Sequence, residues 1–177
     1  MIFVIDTSSA QSAVALLDLN RRVVREELHP SGASFDLPAR FREVTAGAQL
    51  SKVAVATGPG SFTGLRVGVS FGLGLAMGLR IPIVGLRTLE VQAARSDEPV
   101  LAVAEAGRGR AYFRTADGRQ GLGEPSELPK TEEVVGWLRP STEQAMVDAG
   151  IRFRPESGLK TFGEAAAKIL ETASEVA

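Results

Sequence analysis

The chain has 177 residues, 44% of them hydrophobic, with 20 basic and 21 acidic side chains and a formal net charge of −1. That length buries a sizeable core in one or two domains, and the interspersed charges leave no electrostatic footprint for autonomous nucleic-acid binding. The absence of cysteine excludes disulfides, thiolate metal sites and thiol catalysis, and fits a reducing compartment.

The N-terminus, MIFVIDTSS, enters a strand without the basic region of a signal peptide. Residues 2–5 predict a short strand ending in Asp6-Thr7-Ser8-Ser9, small hydrogen-bonding residues suited to a tight turn. Residues 13–17 and 22–29 predict two more strands joined by Asp18-Leu19-Asn20, so the opening reads as an antiparallel meander. Val24, Glu26 and Leu28 alternate well enough to give the third strand one wet face. After a loop over 30–34, Asp36 can cap a helix with Pro38 in its first turn and Leu37, Phe41 and Val44 as its apolar stripe. The run at 53–56 reads as a parallel strand buried on both faces, broken by Gly58-Pro59-Gly60.

Residues 61–80 then predict a helix, with Ser61 as N-cap, Arg80 suited to the negative end of its dipole, and Pro82 as a stop. Gly64, Gly68, Gly72 and Ala76 recur every fourth residue, a stripe where a second backbone can approach closely. Beside it run the rows Leu65, Val69, Leu73, Met77 and Val67, Phe71, Leu75, Leu79, enough apolar surface for two packed sides. One side should cover the helix's own sheet and the other should meet something else. The alternative is a central helix wrapped on every side by its own chain. Each helical glycine costs roughly 1 kcal/mol against alanine, so this helix needs close packing to exist. The longest apolar stretch, 67–79, falls short of the ~20 residues that span a bilayer, so a soluble cytoplasmic protein without a membrane segment is expected.

A strand over 81–86 and a helix over 88–94 follow, and Ser-Asp-Glu-Pro within 95–99 marks a boundary between a first domain, 1–96, and a smaller α/β domain, 97–177. In the latter, 100–104 and 111–114 predict paired strands. Thr131 predicts a helix with Glu132 and Glu133 in its first turn and Val134, Val135, Trp137 and Leu138 as its apolar residues. Residues 145–148 predict a short strand, and Thr161-Phe-Gly-Glu164 is a capping box opening a last helix that buries Ala166, Ile169, Leu170 and Ala173.

Three stretches together, IDTSS near the start, His29 followed by the Leu37-Pro38 helix, and above all Gly58-Pro-Gly-Ser-Phe-Thr-Gly-Leu-Arg-Val-Gly68, resemble the TsaB (YeaZ) family over roughly residues 1–95. The resemblance implies the α/β fold of actin-like and Hsp70-like ATPases: two lobes with mixed β-sheets, the second reduced here. It also implies a non-catalytic accessory subunit that binds the catalytic paralogue TsaD through first-lobe helices, with the ATPase TsaE joining them. Such a complex transfers a threonylcarbamoyl group from its adenylate to the adenosine next to the anticodon of tRNA, and tRNA is expected to reach this chain only through the complex. The partner-binding residues would be Leu37, Phe41, Val44, Gly64, Leu65, Gly68, Val69, Phe71, Gly72, Leu75 and Ala76, and the same helices could serve a homodimer. Where the family often carries an Asp-Ala-Arg-Arg type turn, this chain has Glu105-Ala106-Gly107-Arg108.

Chemistry of its own has few candidates. Gly58, Gly60, Ser61 and Thr63 stand between a strand and a helix, where backbone N–H groups and the helix dipole can hold an anion. The favoured role of these glycines is a turn that packs helix and strand closely, with the anion site as its alternative. The loop does not match GxxxxGK[ST], and no lysine lies between Lys52 and Lys130. By resemblance Asp6 stands at the acidic position of a first phosphate loop, but Ser8 replaces its glycine, Glu105 replaces the second aspartate, and Gly150 alone remains of the adenine-binding glycines. The ATP site therefore reads as degenerate, and no cofactor is expected. His29 is the sole histidine and GxSxG is absent, so no paired-histidine metal site and no catalytic residue are expected. The competing reading is a small actin-fold ATPase or phosphotransferase acting alone.

Overall fold

The computed structural model describes residues 1–173. β1 (Ile2–Asp6), β2 (Gln11–Leu17) and β3 (Val23–Pro30) form the antiparallel meander. β4 (Lys52–Ala56) then adds parallel to β1, and β5 (Ile83–Leu86) parallel to β4, in the order β3-β2-β1-β4-β5. Because side chains alternate along a strand, β1 sends Phe3 and Ile5 to one face and Ile2 and Val4 to the other. Helices α1 (Leu37–Thr45) and α2 (Phe62–Leu79) cover the first face; α3 (Thr88–Ala93) and α5 (Phe162–Ala173) cover the second. The caps fall where expected: Asp36 accepts the Ala39 N–H at 3.0 Å and Ser61 Oγ the Gly64 N–H at 3.2 Å.

The second sheet has four strands, β6 (Leu101–Gly107), β7 (Arg110–Arg114), β8 (Gln120–Gly123) and β9 (Val134–Trp137), in the order β8-β7-β6-β9. On one face Leu101, Val103 and Val134 pack with Met146 of α4 (Pro140–Asp148). On the other, Ala102, Ala104 and Tyr112 meet Leu89 and Ala93 of α3. Helix α3 is therefore shared by both sheets.

The second half departs from the sequence expectations in four places. Val134, Val135 and Trp137 form strand β9, not a helix. Their i, i+1, i+3 spacing suits either state, and parallel pairing of Val134 with Leu101 decides it. Residues 145–148 are the end of helix α4, which opens with Pro140 in its first turn and buries Thr142 and Met146 one turn apart. Strand β8 is an addition to the expected elements, since Gln120-Gly-Leu-Gly123 has little strand character and is held by pairing with β7. The last helix does have its capping box, Thr161 N to Glu164 Oε2 at 2.9 Å and Glu164 N to Thr161 Oγ1 at 3.3 Å. It does not stay with the second sheet: Phe162, Ala165, Ala166 and Leu170 pack on Ile2, Val4, Ala13, Ala15 and Leu17 of the first.

Candidate functional site

Helix α2 is mounted on its own sheet by its small residues. A Cβ placed on Gly64 would lie 1.9 Å from the Thr7 carbonyl oxygen, and one on Gly68 2.4 Å from Thr7 Oγ1. Gly72 faces Ile83, Val53 and Val55, and Ala76 is buried. Thr7 Oγ1 donates to the Gly64 carbonyl at 2.6 Å and the Ser61 N–H to the Ser8 carbonyl at 2.7 Å, while a Cβ on Gly60 would meet that same oxygen at 2.2 Å. Gly60 and Gly64 thus seat the helix against the turn at the end of β1, and the Gly58 carbonyl accepts the Thr88 N–H at 3.0 Å.

This corrects the expected docking set. Gly64, Gly68, Gly72 and Ala76 face the first sheet, because only a helix stripped of side chains can lie that close to the Thr7–Ser8 backbone. Leu37 and Val44 are likewise core residues, packed with Phe3, Ile5 and Val14. Phe41 is half-buried, its ring edge-on to Phe3 at 5.1 Å and to Phe71 at 5.6 Å. Leu65, Val69, Phe71 and Leu75 lie half-buried along the flanks of α2, and Ser61 and Thr63 are exposed at its start.

The outer face of α2 carries open apolar surface: Phe62 is 73% exposed, Met77 76%, Val67 47% and Leu73 44%, while Leu79, on the side of the stripe at the end of the helix, is 51% exposed. Its charges are Arg66, stacked 5.4 Å over the Phe62 ring, and Arg80 at the C-cap; the helix has no acidic residue. Beside it, a groove of about 440 Å³ runs between the ends of α1 and α2, lined by Phe41, Thr45, Ala48, Leu50 and Leu79 among others. Over its 18 residues α2 has a mean hydropathy of 1.4, long and apolar enough to cross a membrane, whereas the uninterrupted apolar run at 67–79 is shorter. The rows flanking the glycine stripe are a partial sequence signal for this face: Val67, Leu73 and Met77 turn outward, whereas Val69, Phe71 and Leu75 pack at the edge of the first core.

Between the lobes, the residues at the phosphate-loop positions are engaged with the protein. Asp6 is wholly buried; burial pushes its carboxyl up from the ordinary 3.8, against the lowering effect of hydrogen bonds from the Ser8 hydroxyl and N–H to Oδ1. Its Oδ2 has no hydrogen-bond partner. Glu105 accepts the Arg139 N–H at 2.9 Å and the Thr142 hydroxyl at 3.0 Å, so its carboxylate occupies the N-terminus of α4. Ser9 ties the lobes together, donating to the Trp137 carbonyl at 2.5 Å and accepting the Glu105 N–H at 3.1 Å. His29 lies away from these residues, hydrogen-bonded through Nε2 to Glu27 at 2.9 Å.

Two mixed sheets sharing helix α3, with helices on their faces, define a two-lobed protein of the actin-like class, its first lobe bearing an open apolar helix. Comparison with known proteins narrows the class. Residues 42–154 match the family model "TsaD: tRNA N6-adenosine threonylcarbamoyltransferase", and the chain belongs to this family, in its TsaB (YeaZ) branch. Among its relatives, tRNA threonylcarbamoyladenosine biosynthesis protein TsaB of Bacillus subtilis (strain 168) is 37% identical over 92 residues, 50% of this chain and 40% of that protein. The Escherichia coli (strain K12) protein of the same name is 31% identical over 122 residues, 63% of this chain and 53% of its own. The chain thus spans about half the length of these two relatives. Among solved structures, YeaZ from Pseudomonas aeruginosa superposes with a TM-score of 0.72 at 20% identity, covering 98% of this chain and 92% of that one.

Proposed function

We propose that this chain is a non-catalytic scaffold subunit in the synthesis of threonylcarbamoyladenosine on tRNA, docking a TsaD paralogue through the outer face of α2. One observation carries the reading: a helix fixed to its sheet along one side leaves Phe62, Val67, Leu73 and Met77 in water on the other. The family match and the relatives' names support this reading of the partner and the pathway. Half-buried Leu65, Val69, Phe71, Leu75 and Phe41 form the flanks of the surface, and the groove beside Leu79 extends it. TsaE joins the assembled pair, and the cytoplasm is the compartment of such a complex.

The reading includes no catalytic group and no nucleotide cofactor on this chain. A nucleotide with its metal needs open carboxylates, whereas Asp6 is buried against Ser8 and Glu105 is taken up by α4. The double substitution Leu73→Asp/Met77→Asp tests the docking face. Both positions are exposed, so the monomer should stay folded by near-UV circular dichroism while pull-down of the TsaD paralogue is lost; retained pull-down would place docking elsewhere. Sedimentation of the free chain distinguishes a homodimer, which should be lost in the same variant.

A further inference from the structure

The β6–β7 hairpin and strand β7 carry three arginines within seven residues, Arg108, Arg110 and Arg114. Alternation along β7 puts Arg110, Tyr112 and Arg114 on one face, and the register with β8 sets Leu122 opposite Tyr112 and Gln120 opposite Arg114. That face looks toward the first lobe, since Tyr112 packs with Leu89, Ala102 and Ala104. Gln120 lines a cleft of about 300 Å³ whose other wall is Thr57, Gly58, Pro59 and Arg87, with Leu89 between. Arg108 stands at the tip of the β6–β7 hairpin, held in the left-handed region at φ 56° between Gly107 and Gly109.

Among the described residues, none of Arg108, Arg110 and Arg114 has a carboxylate within 4.0 Å. The acids nearest in sequence are engaged: Glu105 on α4, Glu124 in a capping box with Glu127, and Asp117 by Thr115 and Arg119. Arg87 lies 4.0 Å from Glu90 and is otherwise exposed. Four residues of extended strand separate Arg110 from Arg114 by about 13 Å, long enough to meet more than one phosphate of an extended strand.

We propose that Arg108, Arg110 and Arg114, with Arg87 across the cleft, hold a phosphodiester stretch of the tRNA once the complex has assembled. The proposal rests on the function given above, and it revises the expectation that tRNA meets this chain only through its partners. A net charge of −1 does not oppose it, because phosphate contacts depend on local clustering. Such contacts position the RNA without reading its sequence, a role that suits a scaffold.

The test uses the complex of this chain with its TsaD paralogue and fluorescently labelled, unmodified tRNA, with anisotropy titrations over a range of salt. Arg110→Gln/Arg114→Gln should weaken binding about tenfold near 100 mM salt and reduce the slope of log K against log salt by about 1.5, as expected for two lost phosphate contacts. Paralogue pull-down and near-UV spectrum should be unchanged. Arg22→Gln/Arg152→Gln, equal in charge and off this face, should cost much less. Unchanged affinity and slope in the β7 variant would overturn the proposal. So would loss of paralogue pull-down, which would make the face a protein contact, or loss of Mg-ATP binding with tRNA binding intact, which would make it a nucleotide site. If the wild-type complex binds no tRNA at any salt, the scaffold reading falls with it; if only the β7 variant behaves as wild type, that reading stands and this one does not.

Discussion

Two glycines on the same helix should respond to alanine with opposite signs. Replacing glycine by alanine in a helix interior gains about 1 kcal/mol when the new methyl group meets nothing. Gly74 meets that condition, with no atom within 4 Å of where a Cβ would stand, so Gly74→Ala should raise the melting temperature by about 2–4 °C for a chain of this size. At Gly64 the added carbon would sit 1.9 Å from the Thr7 carbonyl oxygen and 3.1 Å from its carbon, and these are backbone atoms that no rotamer change can move. Helix and turn must separate, straining the packing by about 1–3 kcal/mol. The separation also loosens the Thr7 hydroxyl bond to the Gly64 carbonyl, worth about 0.5–1.5 kcal/mol. Set against the propensity gain, Gly64→Ala should lose about 1–3 kcal/mol net, read as a lower urea midpoint at unchanged m-value. If Gly64→Ala were as stabilising as Gly74→Ala, the glycine stripe would not face β1, and the assignment of the outer face would fall with it.

Three further substitutions test the lobe interface. Ser9→Ala removes the hydroxyl that bridges the Trp137 carbonyl and the Glu105 N–H in a buried site, and should cost about 1–3 kcal/mol in thermal unfolding; an unchanged melting curve would contradict the bridge. Glu105→Gln turns an acceptor oxygen at the start of α4 into a donor and should cost about 1 kcal/mol, with hydrogen exchange rising first in 140–143. Asp6→Asn addresses a carboxyl whose burial raises its native pKa above the unfolded 3.8. Below 3.8 both states are protonated and the raised value carries no penalty. As pH rises through the native value, the unfolded chain is favoured by ionising more easily, and stability is lost. The asparagine variant should therefore be more stable than wild type at neutral pH and lose that advantage in acid; a constant difference between denaturation midpoints across that range would refute the assignment.

Much of the first lobe is legible in the sequence because its signals are local. Asp36 and Ser61 announce helix starts, β1 and β4 are short apolar runs ended by small polar or glycine-rich turns, and the Phe62–Leu79 periodicity is unbroken. The second lobe is less legible because pairing outweighs propensity there. Val134–Trp137 becomes a strand through β6, and Gln120–Gly123 through β7. The open face of α2 is half legible: periodicity shows that the helix has apolar surface for two sides, yet it does not say which stripe faces home. Only the close approach of Thr7 and Ser8 reveals that the small residues are spent on the helix's own sheet and that Phe62, Val67, Leu73 and Met77 are the residues left facing outward. The cleft that brings Gln120, the cross-strand neighbour of Arg114, to Arg87 and residues 57–59 is beyond sequence reading, since it depends on how the second sheet sits against the first lobe.

The most direct test of docking through α2 is oxidative footprinting of its methionine. Met77 is 76% exposed on the outer face, whereas Met146 is wholly buried in the second lobe. In the free chain Met77 should oxidise far faster than Met146, and adding the TsaD paralogue at saturating concentration should slow Met77 severalfold while leaving Met146 unchanged. Oxidation of Met77 at the same rate with and without a demonstrably bound paralogue would contradict the account.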